Sequence, residues 1–228
     1  MSGLRRYWQA SCERLVEVRE NVPHLGRLRV VDQLARRAGG FMLSVGSKST
    51  KIADVNVDLK RRVNPDIVAT VFHLPFRSEL FDTILFTDVV EHLPEDTEVV
   101  ALSELKRCLK STGRIVLSTP NAIRLFKLLD PSRWGRSHRS YSVKTISGLV
   151  NRASLHIEVA TVSGGVWEGI GLLVYYAIVY PLGRILGREV PFPSKLGQMS
   201  DAQYKNPRNT GYTIFVVCSP KKAAFQTP

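Results

Sequence analysis

Seven short apolar runs, at 41–45, 53–57, 66–71, 82–87, 114–119, 156–162 and 212–218, restrict the fold of this chain more than any other feature. Each has strand length and most are separated by amphipathic segments, a rhythm that predicts βαβ units around a mainly parallel sheet. The clearest helix lies in EDTEVVALSELKRCLKSTG (95–113), with Val99, Leu102, Leu105 and Leu109 on one face and Gly113 as a stop. SVKTISGLVNRASL (142–155) repeats the pattern, with Ser142 as its N-cap. Helical spacing over 3–38, broken at Asn21-Val22-Pro23, predicts two helices ahead of the sheet. The expected division is N-terminal helices over 1–40 and one α/β domain over 41–228.

Residues 164–210 interrupt this rhythm as an insert before the last strand. GGVWEGIGLLVYYAIVYPLGRILG holds an apolar stretch from Ile170 to Leu182, bounded by Glu168 and Arg184. A membrane span needs about 20 residues, and Pro181 falls near the end of the stretch, so no transmembrane helix is expected. Tyr175, Tyr176 and Tyr180 among aliphatic residues suit a lid over an apolar substrate or a peripheral membrane contact through 170–182. A buried helix or a homodimer contact is the alternative. EVPFPSKLGQMSDAQYKNPRNTG, which follows, is expected to be a long loop.

The chain has 228 residues, 44% of them hydrophobic, enough for a substantial core, and a formal net charge of +12. That charge favours an anionic partner: nucleic acid, an anionic membrane or a phosphorylated substrate. From Lys106 to Arg152 the basic residues include Arg124, Lys127, Arg133, Arg136 and Arg139, against Asp130 as the acid after the helix. Cys12, Cys108 and Cys218 show no paired spacing, so neither a disulfide framework nor a metal site is expected. The first residues, MSGLRRYWQASCERL, carry charges where a secretory signal has its apolar centre. A cytoplasmic protein, peripheral to the inner face of the membrane, is the expectation.

FMLSVGSKSTKIADVNVDL (41–59) places a glycine turn at Gly46 and an acid at Asp58, twelve positions later. Nucleotide-binding folds commonly place that acid about 20 residues on, where it binds a ribose. A parallel crossover normally needs ten or more residues, so the first βαβ unit here is trimmed.

HLPFRSELFDTILFTDVVEHLPEDTEVVALSELKRCLKSTGRIVLSTPN (73–121) contains Leu74-Pro75-Phe76, Phe81-Asp82, Glu91-His92-Leu93 and Pro120-Asn121 in order. In this it resembles the class I S-adenosylmethionine-dependent methyltransferases, over roughly 41–163 plus the last strand. The resemblance implies a Rossmann-like seven-stranded sheet, mainly parallel with an antiparallel last strand and helices on both faces, and S-adenosyl-L-methionine as cofactor. Carried onto this sequence, it implies cofactor contacts from Ser44, Gly46, Ser47, Asp58, Thr70, Val71, Phe72 and Asp88. Ser44 stands where the family has an acid, and Gly46-Ser47-Lys48-Ser49-Thr50 keeps one glycine of the family's turn. Thr70 stands where relatives carry an aspartate for the adenine amino group.

Methyl transfer can proceed by holding the acceptor in line with the methyl group, and a base is required only when the acceptor must lose a proton. His92 and His138 are the residues that could supply one. The basic stretch and the apolar insert together point to an anionic small-molecule, glycan or lipid-linked acceptor. An RNA acceptor also suits the charge, although no RNA-binding module is visible. The departures at Ser44, Lys48 and Thr70 leave a non-catalytic scaffold on the same fold as a third reading.

Overall fold

The computed structural model of the chain describes residues 25–46, 52–134, 139–205 and 210–221. Within them lie all seven expected strands: β1 (Met42–Val45), β2 (Val55–Asp58), β3 (Ile67–Val68), β4 (Phe81–Thr87), β5 (Leu109–Pro120), β6 (Leu155–Ser163) and β7 (Thr213–Pro220). They form one sheet in the order β3-β2-β1-β4-β5-β7-β6. Pairs from β3 through β5 are parallel, while β7 runs antiparallel to both β5 and β6. Central strands buried on both faces need apolar residues throughout, and Ile84, Leu85 and Phe86 of β4 are each fully buried.

Helix α1 (Leu25–Ala38) covers one face of the sheet, burying Val31 and Ala35 against residues that include Met42, Leu85, Val116, Phe215 and Val217. Such burial contributes about 1.5–3 kcal/mol for each large aliphatic side chain. The first expected N-terminal helix lies outside the described residues. On the opposite face, α2 (Glu98–Cys108) buries Ala101, Leu102 and Leu105, and α4 (Val143–Arg152) buries Ile146 and Val150. Ser142 caps α4 by accepting a hydrogen bond from Thr145 N at 3.1 Å. Between β5 and α4 stands the short helix α3 (Arg124–Leu129).

Helix α2 ends at Cys108, five residues before the expected stop at Gly113. Leu109 pairs with Phe81 and already belongs to β5, because edge-to-edge pairing with β4 buries it more fully than another helical turn could. Gly113 serves the strand instead: a Cβ there would lie 2.7 Å from Leu109 Cδ1 and 2.9 Å from Asp82 O.

The trimmed crossover joins truly parallel neighbours, with Leu43 opposite Val55. Polar bonds hold the described ends of the connection against the strands. Met42 N donates to Asp54 Oδ2 at 2.8 Å, Asn56 Nδ2 to Ala53 O at 3.0 Å, and Gly46 N to Val57 O at 2.8 Å.

The insert departs from expectation twice. Its apolar stretch is a continuous 21-residue helix, Val166–Leu186, long and apolar enough to cross a membrane by length and composition. It comprises α5 (Val166–Val174), a π turn (Tyr175–Val179) and α6 (Tyr180–Leu186). Pro181 does not end it, because the π turn opens the hydrogen-bond ladder just where the proline ring needs room and its N–H is missing. The segment expected to be a long loop contains α7 (Ser194–Ala202), which packs against α5 and α1. Phe192 and Ser200 are buried there, and Gly26 of α1 lies so close that a Cβ would meet the Tyr204 ring at 2.6 Å.

Candidate active site

The carboxyl ends of β1, β2, β4 and β5 open into a cleft of about 1040 Å³. Strand order reverses between β1 and β4, where the connections leave in opposite directions and a crevice opens.

Gly46 and Val45 form the rim at β1. Gly46 has φ +74°, and a Cβ on it would sit 2.3 Å from Val89 Cγ2, so only glycine allows the turn to pass this close. Ser44 lies beneath them, 2% exposed between Asn56 and Leu85, and does not line the cleft. Asp58 ends β2 at the cleft wall, its Oδ1 accepting from Lys60 N at 2.8 Å. Thr70, Val71 and Phe72 form the neighbouring wall, Thr70 Oγ1 accepting from Phe72 N at 3.4 Å. Asp88 follows β4 with φ +54° and accepts from Ser118 Oγ at 3.1 Å. His92, exposed in the short 3-10 turn Val90–His92, also lines the cleft. The structure therefore gathers Gly46, Asp58, Thr70, Val71, Phe72, Asp88 and His92 around one space. Ser47 and His138 lie outside the described residues.

Several lining residues were not singled out by the sequence for a role at the site. Arg27 reaches in from α1 and pairs with Asp88 at 3.1 Å. Glu91 and Glu168 are buried in the same charge cluster. Burial, reinforced by Asp88, pushes Glu91 up to about 8. Burial likewise pushes Glu168 up to about 8, against the pull of Arg27, and Tyr204 OH donates to it. Burial alone would weaken the Arg27 cation, but Asp88 and Glu168 more than offset this and hold it above its ordinary value. One guanidinium among three carboxylates cannot neutralise them all, so the glutamates keep protons.

Beyond His92 the cleft continues past Pro120 to Asp130, Arg133, Leu172, Tyr176 and Tyr212. Arg133 closes the 3-10 turn Pro131–Arg133 after α3, and Tyr212 OH donates to Asp130 Oδ2. Leu172 and Tyr176 come from the insert, which is a wall of the site rather than an appendage. Arg133 and Tyr176 had signals in the sequence, a basic run and an aromatic cluster. Arg27 had none, because its role follows from where α1 docks.

The residues present fit an adenosyl ligand. A glycine turn with no room for a Cβ, a carboxylate able to accept from both hydroxyls of a cis-diol, and an apolar wall at Val71 and Phe72 line the same space. When bound, S-adenosylmethionine supplies an electrophilic methyl group. Gly46 and Asp58 would hold its adenosyl part, and Val71 and Phe72 would exclude water from the base.

Residues 29–117 match the family model described as Methyltransferase domain. The sheet order is that of the fold shared by the class I S-adenosylmethionine-dependent methyltransferases, and the matched segment covers its first five strands as far as Leu117. The structure superposes on the S-adenosylmethionine-dependent methyltransferase TM1293 of Thermotoga maritima with a TM-score of 0.59 at 16% identity, covering 97% of this chain and 100% of that one. An S-adenosylmethionine-dependent methyltransferase of Clostridium acetobutylicum gives a TM-score of 0.54 at 10% identity, over 85% and 89% of the two chains. The [4+2]-cyclase SpnF shares the fold too, with a TM-score of 0.54 at 12% identity over 84% and 81%. In sequence, 92 residues are 30% identical to uncharacterized protein MJ0638 of Methanocaldococcus jannaschii, covering 39% of this chain and 40% of that protein. The match thus spans less than half the length of that relative.

Proposed function

We propose that the protein transfers a methyl group from S-adenosylmethionine to an anionic or lipid-linked acceptor reached at a membrane surface. The observation that carries this reading is the continuity of the cleft. Its cofactor wall (Gly46, Asp58, Val71) and its far wall (Leu172, Tyr176) enclose one space, and the far wall belongs to the helix with the most exposed apolar surface. Ile178, Leu182, Ile185 and Leu186 lie on that helix just past Tyr176 and are exposed, as are Leu125 and Leu128 of α3. Exposed Arg124, Lys127, Arg184 and Arg188 accompany them, a combination suited to anionic lipid headgroups.

The first half of the helix is fixed to the domain: Glu168 is buried, and a Cβ on Gly169 would lie 2.8 Å from Leu129 Cβ. In-plane contact by the second half therefore fits better than a span. On this reading the protein works from the cytoplasmic face. His92 serves as general base where the acceptor is a hydroxyl.

Calorimetry with S-adenosylmethionine and S-adenosylhomocysteine tests the cofactor half of the proposal, with binding of both expected. Failure of both to bind at millimolar concentration would leave a non-catalytic scaffold, a reading favoured by the occupation of Asp88 by Arg27. Transfer of labelled methyl groups into lipid extract, and not into RNA, tests the acceptor half.

A further inference from the structure

Arg27, Asp88, Glu91 and Glu168 form a shielded cluster in which one guanidinium serves three carboxyl groups. Glu91 lines the cleft although it is only 2% exposed, and Thr119 Oγ1 donates to its Oε2 at 3.2 Å. Around it stand Arg27 of α1, Asp88 and His92 of its own turn, and Tyr141 ahead of α4, while Glu168 of α5 shares Arg27. With both glutamates protonated these four groups sum to zero, Arg27 balancing Asp88. A further charge brought among them stands uncompensated unless a carboxyl group responds, and a buried uncompensated charge is strongly disfavoured.

The cluster lies where the two halves of the cleft meet. On one side Val89, next to Asp88, sits against the Gly46 turn; on the other, Arg27 is within charge range of Tyr212. A cofactor held through Gly46 and Asp58, with its methyl group directed towards Leu172 and Tyr176, would bring its sulfonium to this junction.

We infer that Glu91 gives up its proton to solvent when a sulfonium enters the cleft, so that the protein distinguishes S-adenosylmethionine from S-adenosylhomocysteine by charge. The thioether of the second compound is neutral and calls for no such response. Direct contact is not required, because a full charge nearby acts strongly where water is excluded. Glu91 holds its proton up to about 8, so it is protonated at neutral pH yet close to ionising. The inference rests on the methyl-transfer reading, which supplies the sulfonium.

The test is calorimetry of the full chain with each compound at pH 7, in two buffers of different ionisation enthalpy, which counts protons exchanged on binding. Wild type should release about half a proton or more per site with S-adenosylmethionine beyond any released with S-adenosylhomocysteine. Because the sulfonium-bound form holds fewer protons, the affinity ratio of the two compounds should also rise about fivefold or more from pH 6 to pH 7.5. Glu91→Gln imitates the protonated group and should remove both effects. His92 and the amine of the ligand titrate in the variant as in wild type, so the difference between the proteins isolates Glu91. Glu168→Gln should keep the excess release, since Glu168 does not line the cleft.

Equal proton exchange with the two compounds, a pH-independent ratio, or an excess that survives Glu91→Gln would each overturn the inference while leaving cofactor binding intact. Loss of the excess in Glu168→Gln alone would overturn the choice of Glu91. Should neither compound bind, the methyl-transfer reading falls and takes this inference with it. The wild-type ratio across pH decides the matter even if the Glu91 variant does not fold.

Discussion

Arg27 of α1 lies 3.1 Å from Asp88, the residue that follows β4, and so ties a helix ahead of the sheet to the floor of the cleft. The pair is largely shielded, with side chains 12% and 20% exposed. Beside it stand Glu91 and Glu168, so Arg27 is the cation for three acids. Arg29 continues the connection from the same helix, meeting Asp201 of α7 at 3.1 Å.

Removing that cation should be costly. Arg27→Met leaves the acids without their counter-charge, and breaking a buried pair this way costs about 3–5 kcal/mol. Chemical denaturation at pH 8 is expected to show the loss, and at pH 5, where Glu91 and Glu168 are protonated, a smaller one. An equal loss at both values would mean that Arg27 acts through Asp88 or by packing and not through the two glutamates.

Wild-type stability should itself depend on pH. Glu91 and Glu168 hold their protons up to about 8 in the folded protein and release them near 4.5 once unfolded. Between those values the folded state binds more protons, so these groups make stability fall as pH rises, levelling off above about 8. Asp82, held low by its bond to Lys110, and Glu104, held low by Arg107, act in the opposite sense: their contribution is lost as pH drops below the carboxylate range. Denaturant midpoints from pH 4 to pH 9 should therefore pass through a maximum near about pH 5. Glu168→Gln should flatten the descending limb; an unchanged slope would remove Glu168 from the account.

Asp58→Ala should weaken S-adenosylmethionine binding by about tenfold or more, as loss of charge-assisted hydrogen bonds does. Thermal unfolding, measured in parallel, separates this from damage to β2. Unaltered affinity would place the ribose elsewhere.

Ile178 and Ile185 are 58% and 81% exposed on the second half of the insert helix. Replacing both with Asp should lower co-sedimentation with anionic vesicles by about tenfold or more, since each buried aliphatic is worth about 1.5–3 kcal/mol. The midpoint of thermal unfolding should scarcely move, because neither side chain is packed in the core. Vesicle binding that survives the double substitution would exclude this face as the contact.

Much of the architecture was written locally. Strands β1 to β7 fall within a few residues of the apolar runs, because a strand buried on both faces must be apolar along its length, and that demand survives any packing arrangement. Asp58 and Gly46 were visible for the same kind of reason: the end of a strand and a turn with positive φ restrict residue type on their own. The boundary of α2 was not local, since Leu109 left the helix only because Phe81 was there to pair with it.

The joining of the far half to the cleft, and the meeting of Arg27 with Asp88, Glu91 and Glu168, belong to tertiary structure. Nothing within α1 distinguishes Arg27 from Arg29, yet one is directed into the cleft and the other to Asp201, according to how Gly26 lets the helix approach Tyr204. Sequence thus set the strands and the strand ends, Gly46 and Asp58, that line the cleft, through burial and backbone conformation acting over a few residues. Where each long cationic side chain ends, and which acids it must balance, depends on elements brought together from opposite ends of the chain, and only the folded arrangement decides it.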